Sequence, residues 1–181
     1  MSKKTIDLTP VAGEMLKPKE LIEVRGTGRF TLEDRRLYNA LVDNAWGPKL
    51  ADPNHTFEMS TGELRKLVGD NQRLKQSLRV LMTTLVEVES KDHWQASQLL
   101  GTAEVDTTPN RGVVRYSFPR KLAELLKEST IFAKLDLEVM RSFRSKYAFS
   151  LYEAIARRIR MKRFTENLTM QELRDILGVE E

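Results

Sequence analysis

The sequence predicts a mixed α+β chain, mostly helical. Two observations carry that prediction. Between residues 31 and 118 the signals run helix, short strand, helix, tight turn, helix, then β-hairpin. Part of the helical pattern then recurs near the end of the chain. The first order is that of a winged helix, a helix-turn-helix with a β wing. Its third helix is the one that enters a DNA major groove.

The first 25 residues are polar, hold Pro10 and Pro18, and show no sustained period. They read as an arm, with Leu21, Ile22 and Val24 able to form a short extended segment. Thr31 is a candidate N-cap with Asp34 as its capping-box partner. Leu37, Leu41 and Ala45 follow at helical spacing, and Gly47-Pro48 ends the helix. Phe57-Glu58-Met59 fits one short strand. Ser60-Thr61-Gly62-Glu63 reads as a capping box for a second helix that Gly69 stops. Asp70 can cap a third at once, running to about Thr84. Leu85 to Glu89 alternates as a strand. Residues 94–105 and 112–118 read as a hairpin around a Pro-Asn-Arg-Gly turn, with Val114, Tyr116 and Phe118 on one face. A helix follows Pro119. A short strand and a helical turn fit 131–143. A strong helix spans about Ser145 to Met161, with Tyr147, Leu151, Ile155 and Ile159 at four-residue steps. Thr169 to Glu172 caps a last helix that Gly178 closes.

On a wheel of about 100° per residue, Leu74, Leu78, Leu81 and Leu85 make a narrow apolar stripe on the third helix. Gln72, Gln76, Arg79 and Thr83 fall opposite, with Arg73 and Lys75 on the flanks. Arg can bridge two acceptors on guanine and Gln can pair with adenine, while flanking cations suit phosphates. Any surface helix has a solvated face, but this one carries no acid beyond its cap. Wing residues Arg111 and Arg115 would add backbone contacts.

The recurrence is specific. Glu63 to Gly69 is echoed by Glu172 to Gly178 at an offset of 109, and Leu37 to Leu41 by Leu151 to Ile155 at 114. The expected division is therefore an arm at 1–25, a first winged helix at 26–143, and the first two helices of a second at 144–181. The recognition helix and wing of that second unit would be missing. Residues 165–181 would then be less protected than 57–88.

Composition narrows the function. The 181 residues are 40% apolar, which excludes disorder throughout. No apolar run reaches the ~20 residues of a membrane span, and no signal peptide opens the chain. These features read as a soluble, cytoplasmic protein. Cysteine is absent, and only His55 and His93 could serve a metal, so no metal or other cofactor is expected. Gly26-Thr27-Gly28 lacks the strand and helix start of a phosphate loop, and Glu33 and Asp34 fit a helix start. No enzyme is expected. Trp46, Trp94, Tyr147 and Tyr152 read as core. The net charge of +4 is uneven: residues 141–163 carry eight cations against Glu153 alone. Within that strip Arg157, Arg158, Arg160, Lys162 and Arg163 exceed what a helix end needs, and they form a second candidate DNA contact.

Four stretches resemble the plasmid replication initiator (Rep) family: Lys17 to Ile22, Phe30 to Tyr38, Ser145 to Glu153, and Leu168 to Arg174. The run Ser145-Lys146-Tyr147-Ala148, with Leu151-Tyr152-Glu153, is the most specific. The resemblance implies tandem winged helices. The first would serve dimerisation and DNA-backbone contact, and the second would read origin repeats. It implies double-stranded origin or operator DNA, a homodimer and host replication proteins as partners. Two alternatives stay open: a winged-helix module that binds only proteins, and a transcriptional repressor.

Overall fold

The computed structural model describes every residue except 1–2, 25–28, 160, 162–164, 166 and 180–181. A helix-turn-helix stands at its centre. Helix α2 (Leu32–Asn44) opens with the expected reciprocal cap of Thr31 and Asp34. Strand β2 (Phe57–Ser60) leads into α3 (Thr61–Val68), and α4 (Asn71–Thr83) follows after two residues. Gly69 makes that tight turn with φ +109°, a conformation open to glycine and strained for other residues. Asp70 then caps α4 by accepting from the Arg73 amide at 2.8 Å.

The predicted 94–105 strand is two strands. Strand β4 (His93–Gln98) turns back on β3 (Leu85–Ser90) as a separate hairpin. Strand β5 (Thr102–Val105) pairs with β6 (Val113–Ser117), and β2 completes a sheet of order β2-β6-β5. Buried Leu99 and Leu100 and the bend at Gly101 divide the two hairpins. The β5–β6 pair is the wing. Its inner residues Val114, Tyr116 and Phe118 are buried as expected.

The expected arm is part of the body. Strand β1 (Glu14–Pro18) pairs antiparallel with β7 (Phe132–Asp136) in the register Glu14↔Asp136 to Pro18↔Phe132. Leu21 lies in the short helix α1 (Lys19–Ile22), not in an extended segment. Ile6, Met15 and Leu21 belong to the same core as Leu37, Leu74 and Leu122. Five-residue strands with a buried Lys17 give no period-two signal, so the sequence pattern was silent. Nor is Ser60 a side-chain cap for α3. The Thr61 hydroxyl instead donates to the Asp106 carbonyl at 2.8 Å, tying α3 to the base of the wing.

Helix α5 (Arg120–Glu128) and helix α6 (Leu137–Ser142) flank β7 in the chain. Helix α7 (Lys146–Arg158) and α8 (Met170–Leu177) repeat the bounds of α2 and α3 at the offsets 114 and 109. Helix α7 buries Phe149, Ser150, Glu153, Ala156 and Arg157. The apolar stripe of Tyr147, Leu151, Ile155 and Ile159 is exposed, from 40% to 67%. Tyr147, read from the sequence as core, is therefore on the outer face of α7. The inward stripe is instead partly polar and held by ion pairs. Trp94 is 59% exposed on β4 and Leu85 46% exposed on β3, so neither is core, and the predicted α4 stripe stops at Leu81 because the helix ends at Thr83, before Leu85. Trp46 is partly buried, with its indole N–H bonded to the Leu8 carbonyl at 2.9 Å. Tyr152 is half-buried and its hydroxyl accepts from the Asp136 amide. No helix among the described residues is long and apolar enough to cross a membrane.

Candidate nucleic-acid interface

Leu74, Ser77, Leu78 and Leu81 hold α4 to the core. Their spacing leaves Gln72, Lys75, Gln76, Arg79 and Thr83 exposed on the other side. None of the 13 residues of α4 is acidic. The outward face is therefore amide, amine, guanidinium and hydroxyl, as the wheel predicted.

Three members of the predicted set on α4 are already engaged, Gln76 among them through its Oε1, which accepts from Arg73 Nη1 at 3.2 Å. The Arg73 guanidinium turns towards α2, donating to Thr31 Oγ1 at 2.8 Å with Asp34 Oδ1 3.8 Å away. Thr83 donates its hydroxyl back to the Arg79 carbonyl at 2.9 Å. Arg29, which the sequence reading did not single out, caps this end of α4. It donates to the Thr83 carbonyl at 2.7 Å and to Thr84 Oγ1 at 3.1 Å. No local pattern announces a partner 54 residues away.

In the wing, Arg111 is exposed in the 106–112 loop. Asp106 shapes that loop by accepting from the Thr108 amide and hydroxyl, and these bonds hold its carboxyl below the usual range. Arg115 is different. The register sets it between Glu58 on β2 and Glu104 on β5, and it bonds to them at 2.7 and 3.3 Å. Its charge is balanced within the sheet. The sequence reading missed this because the two acids lie on separate strands.

The C-terminal strip is also divided. Arg157 is buried and paired with Glu23. Arg158 is half-buried, with Nη1 3.9 Å from Met161 Sδ. Arg160, Lys162 and Arg163 lie outside the described residues. Beside Arg157 a buried cluster fixes α7 to the body. Glu153 Oε1 accepts from Lys17 Nζ at 2.7 Å and from Asn39 Nδ2 at 2.8 Å. Burial pushes the Lys17 amine below its usual range although Glu153 opposes this, and it pushes the Tyr38 phenol well up. His55 is half-buried edge-to-face on Phe57 at 4.5 Å, which is a packing role. Among the described residues no group of three acids or histidines could hold a metal.

The outward face therefore holds Gln72, Lys75, Gln76 and Arg79 on α4, with Arg111 on the wing. A crystal structure of the Pi initiator protein in complex with iteron DNA is similar in fold, with a TM-score of 0.60 at 16% identity. The match covers 91% of this chain and 72% of that one. No curated protein sequence matches the chain. The family model for the initiator replication protein WH1 matches residues 14–156, which run from β1 through the wing into α7. An α+β winged helix matched over that span assigns the chain to the initiator replication protein family, at its WH1 region.

Proposed function

We propose that this chain binds double-stranded DNA at the origin or operator of a plasmid-like replicon, as part of a replication initiator. Helix α4 would enter the groove and Arg111 would meet the backbone. The single observation that carries this reading is the acid-free outward face of α4 against an opposite face locked in the core. Lys75, Arg79 and Arg111 together would release about three counterions, a log–log salt slope of about −2.7. Binding of a fixed duplex between low and physiological salt tests it. Lys75→Ala should flatten the slope by about 0.9, and Arg79→Glu should abolish binding. Salt-independent binding in the unaltered protein overturns the proposal.

We further propose that residues 144–181 open a second winged helix, with Leu151, Ile155 and Ile159 as core positions awaiting their own third helix. The protein acts by binding, without catalysis, in the cytoplasm beside its replicon. A second reading, association through protein surfaces, is supported by the β3–β4 hairpin. It exposes Leu85 and Trp94 on one face, and its outer edges pair with no other described strand. Homodimerisation and contact with host replication proteins belong to this surface. Sedimentation of Trp94→Glu against the unaltered protein checks it: a shift towards monomer supports the hairpin as the dimer surface.

A further inference from the structure

Arg73 stands in the first turn of α4, where a guanidinium would ordinarily be assigned to a phosphate. Its contacts point elsewhere. Nη2 donates to Thr31 Oγ1 at 2.8 Å, and Asp34 Oδ1 lies 3.8 Å away. Nη1 donates to Gln76 Oε1 at 3.2 Å, one turn further along α4. Thr31 and Asp34 are themselves the cap of α2: the Asp34 amide donates to Thr31 Oγ1 at 3.2 Å, and the Thr31 amide to Asp34 Oδ2 at 2.8 Å. The carboxylate is 1% exposed, so the opposing cation is set against a desolvated charge.

We infer that Arg73 is a positioning residue and not a phosphate contact: it clamps the start of α4 to the cap of α2 and holds Gln76 Oε1 by one lone pair, so that the Gln76 amide is presented to DNA in a fixed orientation. The inference rests on the DNA reading given above. Two consequences follow from chemistry. A guanidinium already balanced by Asp34 releases no counterion on binding. A glutamine reads adenine by accepting from N6 while donating to N7. Arg73 takes one of the two lone pairs of Gln76 Oε1 and leaves the other free to accept from adenine N6, so the bond orients the amide for that base.

Three measurements test this. The first is the salt slope on one fixed mixed-sequence duplex. Arg73→Ala should lower affinity by the same factor at every salt concentration and leave the slope unchanged, whereas Lys75→Ala flattens it by about 0.9. Arg73→Lys should behave like Arg73→Ala, because an ammonium cannot span Thr31, Asp34 and Gln76 together. The second is a thermal double-mutant cycle without DNA. Arg73→Ala and Asp34→Asn should each lower Tm, with the pair losing less than the sum, while Lys75→Ala leaves Tm in place. The third is selection from a randomised duplex pool. The position that loses preference in Gln76→Ala should hold adenine, and Arg73→Ala should weaken that preference.

A slope reduced by about 0.9 in Arg73→Ala, or full rescue by Arg73→Lys, overturns the inference. So do additive thermal effects, an adenine preference as strong in Arg73→Ala as in the unaltered protein, or the absence of any Gln76-dependent position. Salt-independent binding by the unaltered protein sinks the DNA reading instead, and the thermal cycle still decides the clamp.

Discussion

Single residues show how burial and pairing set the behaviour of charged and polar groups here. Glu153 is 2% exposed and Lys17 4%, so each depends on the other. Removing one partner leaves a bare buried charge, whereas replacing both with apolar groups of similar volume can be neutral. Glu153→Leu should therefore cost about 3–5 kcal/mol, and adding Lys17→Met should recover most of it, read by denaturant unfolding. Tyr116 gives a pH prediction. Its hydroxyl donates to the Leu41 carbonyl at 2.6 Å and burial pushes its pKa up to about 12. The unfolded phenol ionises near 10, so between there and about 12 the unfolded chain loses a proton that the folded one keeps. Stability falls across that window by about 3 kcal/mol. Lys17 acts with the opposite sign below 10.5, because its lowered folded pKa makes the unfolded chain the better proton binder. Unfolding of the unaltered protein and Tyr116→Phe from pH 9 upward isolates Tyr116, since both keep Lys17. The alkaline decline should be shallower in Tyr116→Phe by that amount.

Elements differ in what anchors them. Helix α4 buries four residues in the core, while α8 is well capped yet buries none. A cap fixes where a helix begins and supplies little of the packing that keeps it closed. Amide exchange should accordingly be faster at Leu173 than at Leu78 by more than about tenfold. The wing turn depends on Gly112, where a Cβ would collide with the Asp106 carbonyl oxygen. Gly112→Ala should cost about 1–3 kcal/mol, seen as a lower Tm. Elements with a local code were legible in the sequence. Thr31, Asp70 and Thr169 cap α2, α4 and α8 as their spacing indicated. Strand β1 was not legible, because its five residues find their reason in β7, more than 110 positions away. Trp94 was misread for a related reason. A large aromatic signals burial on average, but this one sits on the outer face of an inserted hairpin.

At the scale of the whole molecule, charge in sequence and charge on the surface part company. The acid-free face of α4 was legible because a helix wheel is local. The engagement of Arg73, Arg115 and Arg157 was not, since Asp34, Glu58, Glu104 and Glu23 reach them from other elements. The repeat ties the two ends of the molecule together in one more way. Asn39 and Glu153 occupy equivalent places 114 residues apart, and they bond to each other at 2.8 Å. The equivalent helices meet there through one face and differ on the other. Leu37, Leu41 and Ala45 on α2 are 0%, 0% and 1% exposed, while their counterparts Leu151, Ile155 and Ile159 are 40%, 50% and 67% exposed. Identical helical spacing thus buries a core in one copy and presents a bare stripe in the other. Leu41→Ala should cost about 2–5 kcal/mol, through lost burial and the cavity left behind. Ile155→Ala should change stability by no more than about 0.5 kcal/mol, because the side chain it shortens touches mostly water. Parallel urea melts of the two variants check both values. Equal losses would mean that the α7 stripe is covered in solution, by a second copy of the chain or by another part of the same protein, and the dependence of the Ile155→Ala loss on protein concentration would tell the two apart.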